Sequence, residues 1–126
     1  MKHMKKGPWG SLLRPKGASE YIDEGDLKFD TDMATGKTKV HHPTLGDAEV
    51  SIDDSTSPIV IKFAIKQRHT PTVMFRHYQG NCKASGDEII AIDGGFYTLS
   101  PVQSNPKAFQ QMGDGDWVPS NPPSIV

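Results

Sequence analysis

The most regular alternation of apolar and polar residues in the chain runs from residue 59 to residue 68. Apolar side chains occupy every second position, and lysines stand at positions of the opposite parity. The apolar residues are Ile59, Ile61, Phe63 and Ile65, and the lysines are Lys62 and Lys66. Because a period of two puts successive side chains on opposite faces of an extended chain, this segment predicts a half-buried β-strand.

Shorter segments on both sides show the same period. Residues 26–42 predict a hairpin with its turn over residues 31–36, and residues 48–53 predict a third strand. Residues 72–79 predict another strand, in which both faces carry apolar side chains. Such a strand is covered on both sides or by another subunit. The polar residues 79–87 predict a loop.

Residues 88–100 contain two apolar halves separated by Asp93, Gly94 and Gly95. Consecutive glycines accept the positive φ angles of a tight primed turn, so the pattern predicts a hairpin that turns at Gly94–Gly95. A turn at Asp93–Gly94 would separate apolar from polar side chains less well. The favoured register gathers four apolar residues on one face, and they are Ile90, Ile92, Tyr97 and Leu99.

One segment has the features of a helix. Asn105 can cap its first turn, Pro106 suits the first helical position, and Gly113 can end it. The sequence therefore predicts a helix of about two turns over residues 105–112.

These elements predict an all-β fold, or nearly so, in the form of a small antiparallel β-sandwich or barrel of about six to eight strands, with one short helix near the C-terminus. Gly and Pro punctuate residues 1–25, which predicts an extended, irregular N-terminal arm. Residues 26–112 are expected to form the β-domain. The proline-rich residues 113–126 are expected to form an extended C-terminal tail.

Composition narrows the classes of function. The chain has 126 residues, 35% of them hydrophobic, and a formal net charge of -1. This length suits one domain, and the near-neutral charge argues against a generic nucleic-acid binder. The single cysteine, Cys82, excludes an intrachain disulfide. No apolar run approaches the roughly 20 residues of a membrane helix, and no signal-peptide segment is expected, so we expect a cytoplasmic or virion protein without a membrane partner.

No motif predicts a catalytic residue, a metal site or a cofactor. The Gly-Lys-Thr of residues 36–38 lacks the first glycine of a phosphate-binding loop, since Thr31 stands in its place. The adjacent His41 and His42 point to opposite faces of a strand, which wastes one of them as a ligand. Cys82 has no histidine that the sequence can place beside it. Acidic pairs lie in predicted turns, where Asp bonds to the local backbone.

The two tryptophans lie in the two arms. An exposed Trp beside Gly and Pro can anchor an interface, because one side chain buries a large area. Each arm could instead fold back on its own domain, or a Trp could stack on a sugar or a base. We expect an interface with a partner chain, anchored by Trp9, Leu12, Leu13, Trp117, Val118, Ile125 and Val126.

The sequence therefore favours a non-enzymatic structural module that oligomerises, or decorates a larger particle, through its arms. A phage capsid-decoration or tail-accessory protein is the concrete form of this hypothesis, with protein partners and with nucleic acid disfavoured. The alternative is a β-module that binds carbohydrate or another small ligand, and a small enzyme comes third. An assembly protein should have arms that leave the domain, whereas a binding module or an enzyme should have an aromatic platform or a concave pocket.

Overall fold

The computed structural model of the chain describes residues 1–68, 73–101 and 114–121. These residues form nine strands. They are β1 (His3–Met4), β2 (Trp9–Pro15), β3 (Ile22–Thr31), β4 (Thr38–His42), β5 (Gly46–Asp53), β6 (Ile59–Arg68), β7 (Val73–Ser85), β8 (Glu88–Ser100) and β9 (Asp114–Ser120). The expected strand over residues 59–68, the hairpin over 26–42 and the strand over 48–53 are confirmed as β6, β3–β4 and the body of β5.

Strands β2 to β9 form a closed antiparallel barrel. Each strand from β2 to β8 pairs with the next along the chain, β8 pairs with β9, and β9 pairs with β2. This confirms the all-β class and selects the barrel over the sandwich. None of the residues that the structure describes is helical, and the helix expected over residues 105–112 lies outside them.

The two ends of the barrel differ. We call the end where β2 stops at Pro15 and β3 starts at Ile22 the upper end, and the end where β2 starts at Trp9 the lower end. At the lower end, β1 pairs in parallel with the first residues of β8. Met4 of β1 is 4% exposed and Trp9 is fully buried. The Trp9 indole Nε1 donates a hydrogen bond to the carbonyl oxygen of Lys5, at 3.0 Å, so the N-terminal segment fills the lower end.

A cluster of aromatic rings packs through the middle of the barrel, with one stacked pair and several edge-to-face contacts. The Phe63 and Tyr78 rings stack with their centroids 4.6 Å apart, and Trp117 meets the two rings at 5.4 and 5.2 Å. Phe29 links Phe63 to Trp9, with centroid distances of 6.0 and 5.9 Å. Because each such ring removes a large apolar area from water, this cluster is the main source of core stability.

The expectation of irregular terminal arms is wrong for the described parts of residues 1–25 and 113–126. Residues 9–15 are strand β2 and residues 114–120 are strand β9, and the two pair with each other from Gly10–Ser120 to Pro15–Gly115. Glycine and proline were misleading here. A strand takes glycine where a neighbouring backbone comes close, as at Gly115 beside Arg14, and takes proline at or near its end, as at Pro15 and Pro119, so their presence does not indicate a loop.

The expectation of a hairpin at Gly94–Gly95 is also wrong, because β8 is continuous. Gln79 pairs with Phe96 and Asn81 with Asp93, so both glycines oppose the single residue between Gln79 and Asn81 on β7. Gly94 has a φ of +62°, which makes this a glycine β-bulge within the ladder and not a turn. The loop expected over residues 79–87 is correspondingly replaced by the second half of β7 and a turn at residues 86–87.

Bulges also decide which isoleucines of β8 are buried. A second register shift lies where Lys83 pairs with Ala91 and Ala84 with Ile89. As a result Ile89 and Ile92 are buried, whereas Ile90 is 41% exposed. The expected core face with Ile90 beside Ile92 is therefore wrong, because strict alternation does not survive a bulge.

No helix among the described residues has the length and apolar character needed to cross a membrane.

We expect Phe63→Ala to lower the free energy of unfolding by about 3–5 kcal/mol, since it removes the ring at the centre of the aromatic cluster. Ile90→Ala, on the outer face of β8, should cost less than about 1 kcal/mol. Urea titration of both variants measures the difference. Equal costs would show that the aromatic cluster is not the core.

Removal of residues 114–126 should abolish cooperative thermal unfolding, because it deletes β9 and with it the buried Trp117. Val118→Ala, which truncates an exposed side chain of the same strand, serves as the control and should melt like the full chain. Circular dichroism during heating distinguishes the two cases. A truncated chain that still melts cooperatively near the full-length temperature would restore the expectation that this segment is a dispensable arm.

Candidate functional site

A bulge in β3 turns one carboxylate into the barrel. Gly10 pairs with Asp26 while Leu12 pairs with Asp23, so Ser11 opposes both Glu24 and the residue that follows it. That residue is Gly25, whose φ of +84° favours glycine. Strict alternation from the buried Leu27 would point Glu24 outward. The extra residue reverses the phase, and the Glu24 side chain is only 4% exposed.

Four side chains donate hydrogen bonds to the Glu24 carboxylate. Ser11 Oγ donates to Oε1 at 2.9 Å. Oε2 receives the Tyr78 hydroxyl at 2.9 Å, the ring Nε2 of His42 at 3.1 Å and the guanidinium Nη1 of Arg76. We call Ser11, Glu24, His42, Arg76 and Tyr78 the Glu24 cluster. Each carboxylate oxygen offers two lone pairs, so Oε2, with three donors, is fully used, whereas Oε1 accepts Ser11 Oγ.

The position of the proton on His42 follows from its contacts. The backbone N–H groups of Thr44 and Leu45 both point at His42 Nδ1, at 3.2 Å each. Nδ1 therefore accepts, which leaves the proton on Nε2, where it is donated to Glu24. The turn between β4 and β5 thus fixes the neutral tautomer of a histidine whose side chain is 3% exposed.

The electrostatics follow from these contacts. Burial by itself would raise the pKa of Glu24, but the hydrogen bond from His42, the charge of Arg76 and the hydrogen bonds from Ser11 and Tyr78 outweigh it and hold that pKa below its ordinary value. Burial, followed by the charge of Glu24, raises the pKa of the Tyr78 hydroxyl well above its usual range. The lowered pKa makes Glu24 a weak base, and Tyr78 remains a donor, so neither is suited to act as a general base at neutral pH.

Three members of the Glu24 cluster, Glu24, His42 and Arg76, line one wall of a concave pocket of about 400 Å³ at the upper end of the barrel. Its apolar walls come from Leu13 on β2, Ile22 on β3, Leu45 in the turn after β4, and Tyr97 and Leu99 on β8. We call this space the upper pocket. Its volume lies within the range of about 300–1,000 Å³ that is typical of small-molecule sites.

A second concavity, of about 460 Å³, lies on the outer face of the barrel beside the turn that follows β2. Its lining includes the exposed Phe96 and the ion pair between Arg14 and Asp116. It is larger than the upper pocket, but its charged groups are partly exposed and lie in contact with solvent. The upper pocket is the better candidate site, because buried polar groups converge only there among the pockets of the described residues.

The arrangement suits binding better than catalysis. Cys82 is buried, and burial raises the pKa of its thiol to about 11, so it is a poor nucleophile. Among the described residues no group of three His, Cys, Asp or Glu side chains is placed to hold a metal ion. His41 and His42, which are adjacent in sequence, are separated by the barrel wall, with His41 exposed and hydrogen-bonded to Asp47.

The anchors expected at an interface divide into three groups. Trp9, Leu13 and Trp117 are 0%, 4% and 1% exposed, so they are core residues of their own barrel, and the expectation for them is wrong. Leu12 and Val118 face outward as a cross-strand pair between β2 and β9, and their role stays a prediction. The last two expected anchors, Ile125 and Val126, lie outside the described residues.

The Glu24 cluster was not predicted from the sequence. One sign of it lies in the strand predicted over residues 72–79. Arg76 has the same parity there as Met74 and Tyr78, so all three lie on the same face of the strand, which is the inner face of the barrel. A charged residue in phase with buried ones needs a buried partner. The partner could not be named, because Glu24 reaches the interior only through the bulge at Gly25.

No protein-family model matches the chain, and comparison with curated proteins and with solved structures gives no significant match for it.

Acid should weaken the fold partly through Glu24. Its pKa is lower in the folded than in the unfolded chain, so the folded state binds fewer protons. The stability it contributes is present above about pH 4.5 and is lost as the pH falls through the folded value. We expect the unfolding free energy of the natural protein to fall more steeply in this window than that of Glu24→Gln.

Urea titrations at a series of pH values between 3 and 7 measure this difference. Glu49→Gln, an exposed residue on β5, reports the effect of removing one surface carboxylate. If the natural protein and Glu24→Gln lose stability in parallel below pH 4.5, the buried carboxylate does not control the acid response.

Proposed function

We propose that this protein is a non-enzymatic β-barrel that binds a small, mostly apolar molecule in the upper pocket. The observation that carries the proposal is a pocket of ligand size at one end of the barrel, bordered by a fixed set of buried polar side chains. Apolar walls with a few convergent polar groups are typical of small-molecule sites.

The asymmetry of the barrel supports this proposal. The lower end is filled by Met4, Trp9 and the aromatic cluster, so a ligand can enter only part of the interior. The upper end retains open space between Leu13, Leu45 and Leu99. Small eight-stranded barrels have interiors just wide enough to be filled by side chains or to hold one small ligand.

The polar wall supports the proposal because it is rigid. The wall residues Glu24, His42 and Arg76 are bonded within the Glu24 cluster, whose five side chains come from β2, β3, β4 and β7, and the Trp117 indole of β9 donates to Ser11 Oγ at 3.1 Å. Five strands are therefore tied together beside the pocket. A site held in its binding geometry before the ligand arrives loses less conformational entropy on binding.

The assembly hypothesis loses support because Trp9, Leu13 and Trp117 are buried in the barrel. It depended on terminal arms that leave the domain, and the strongest apolar anchors of those segments lie inside the barrel. The outward pair Leu12–Val118 is the part of that surface that remains among the described residues. Decoration of a larger particle thus remains a second proposal that depends on this pair, and the carbohydrate form of the binding proposal competes with the apolar ligand proposed here.

The fluorescent probe N-phenyl-1-naphthylamine, which is small, apolar and uncharged, tests the proposal. We expect saturable binding of one probe per chain, with enhanced emission. Leu99→Trp, which fills the pocket from β8, and Thr44→Trp, which fills it from the rim, should each weaken binding by at least about tenfold.

Ile90→Trp is the matched control, because it adds the same ring to the outer face of the same strand. It should bind the probe like the natural protein. Probe binding that is unchanged in both pocket variants, or absent in the natural protein, would overturn the proposed function.

A further inference from the structure

We propose that the ligand of the upper pocket is uncharged and presents a hydrogen-bond acceptor, such as a carbonyl or ether oxygen, to Arg76. This inference rests on the proposed function and adds the chemical class of the ligand to it. It follows from the charges around the pocket and from which N–H groups of Arg76 already have a hydrogen-bond partner.

The charges on the pocket wall sum to a small negative value. Among the described residues its ionic groups are Asp23, Glu24 and Arg76, and His42 is held in its neutral tautomer. Glu24 and Arg76 are in direct contact and cancel each other, which leaves the rim carboxylate of Asp23. The described part of the lining therefore offers no net positive charge to attract an anion.

An anionic ligand would compete with Glu24. Its carboxylate would have to approach the Arg76 guanidinium that Glu24 already contacts, and so would bring two negative charges close together in a partly buried space. Like charges in such a place repel strongly, and the ligand would also lose its hydration. Arg76 is therefore not an anion receptor here, although an arginine in a pocket is commonly taken for one.

A cationic ligand gains little either. The charge of Glu24 is already balanced by Arg76, its Oε2 accepts three donors, and its Oε1 accepts Ser11 Oγ. Asp23 is exposed at the rim, and its carboxylate accepts the backbone N–H of Gly25 at 2.8 Å. An ammonium group would give up its hydration for one solvent-screened charge, and such an ion pair contributes little.

Arg76 can still donate. A guanidinium has five N–H groups, and the contacts with Glu24 and with the Tyr78 hydroxyl both use Nη1. The buried Nε of Arg76 has no hydrogen-bond partner among the described residues, and 17% of the side chain is exposed. A neutral oxygen that reaches the exposed part of the guanidinium, in direct contact or through one water, would gain a bond to a charged donor without adding charge.

Four compounds of one size test the class. Butyrophenone carries a carbonyl, butylbenzene lacks an acceptor, 4-phenylbutyrate is an anion and 4-phenylbutylamine is a cation at pH 7. Each compound is titrated against the complex of the natural protein with the naphthylamine probe, and displacement of the probe measures its affinity. We expect the ketone to bind most tightly, the hydrocarbon to be weaker by severalfold, and both ions to be at least about tenfold weaker than the ketone.

Glu24→Gln supplies a variant that should gain binding. It keeps the size of the side chain and removes the charge that cancels Arg76, so affinity for 4-phenylbutyrate relative to butyrophenone should rise by about tenfold or more. Asp23→Asn removes a solvent-screened charge instead and should change that ratio by less than about threefold. If Glu24→Gln does not fold, the four compounds with the natural protein decide alone.

The outcomes separate the two proposals. Absence of probe binding overturns the pocket as a site, and the ligand class with it. Probe binding with an ion equal to or tighter than the ketone, with no advantage of the ketone over the hydrocarbon, or with no displacement by the ketone, overturns the ligand class and leaves the pocket standing. The expected order, with the shift in Glu24→Gln where that variant folds, supports both.

Discussion

The upper half of the barrel depends on one buried carboxylate. Taking Glu24 out of water is costly unless its charge is balanced and its oxygens are bonded, and the structure meets both conditions with Arg76 and three neutral donors. The four donors come from three different strands, and Trp117 extends the network to a fourth through Ser11. The apolar packing of the lower half has no such directional requirement. The carboxylate therefore sets which side chains face each other across the upper interior.

The pocket is a consequence of the same arrangement. Side chains that must reach a common carboxylate cannot also fill the space above it, so the wall is set while the volume between Leu13, Leu45 and Leu99 stays open. Below this volume, Phe63, Tyr78 and Trp117 fill the middle of the barrel with rings. The apolar lower layer therefore stabilises the barrel by packing, whereas the polar upper layer borders the proposed binding site.

The sequence predicts those parts of the fold in which period two is unbroken. β6 matches its expected bounds of 59 and 68, because nothing interrupts the alternation of its apolar residues. β8 was misread because its bulges change phase, so that Ile90 points outward and Gly94–Gly95 lies within a strand. The candidate site was missed for the same reason, since Gly25 reverses the phase of β3 just where Glu24 needs it. A bulge depends on the register of two strands far apart in sequence, which local pattern does not contain.

The pairing of β2 with β9 has a consequence for how the molecule forms. Gly10 lies beside Ser120, so the contact that completes the barrel joins residues separated by almost the whole described chain. Every other antiparallel pair of the barrel except the β8–β9 pair links strands that lie close together in the sequence and can form early, but the wall cannot become continuous until the final strand is present. Long-range closure of this kind slows folding, because loop entropy is lost before contacts compensate for it. During synthesis we therefore expect the nascent chain to form an open, curved sheet, in which one edge of β2 stays unpaired until β9 has been made.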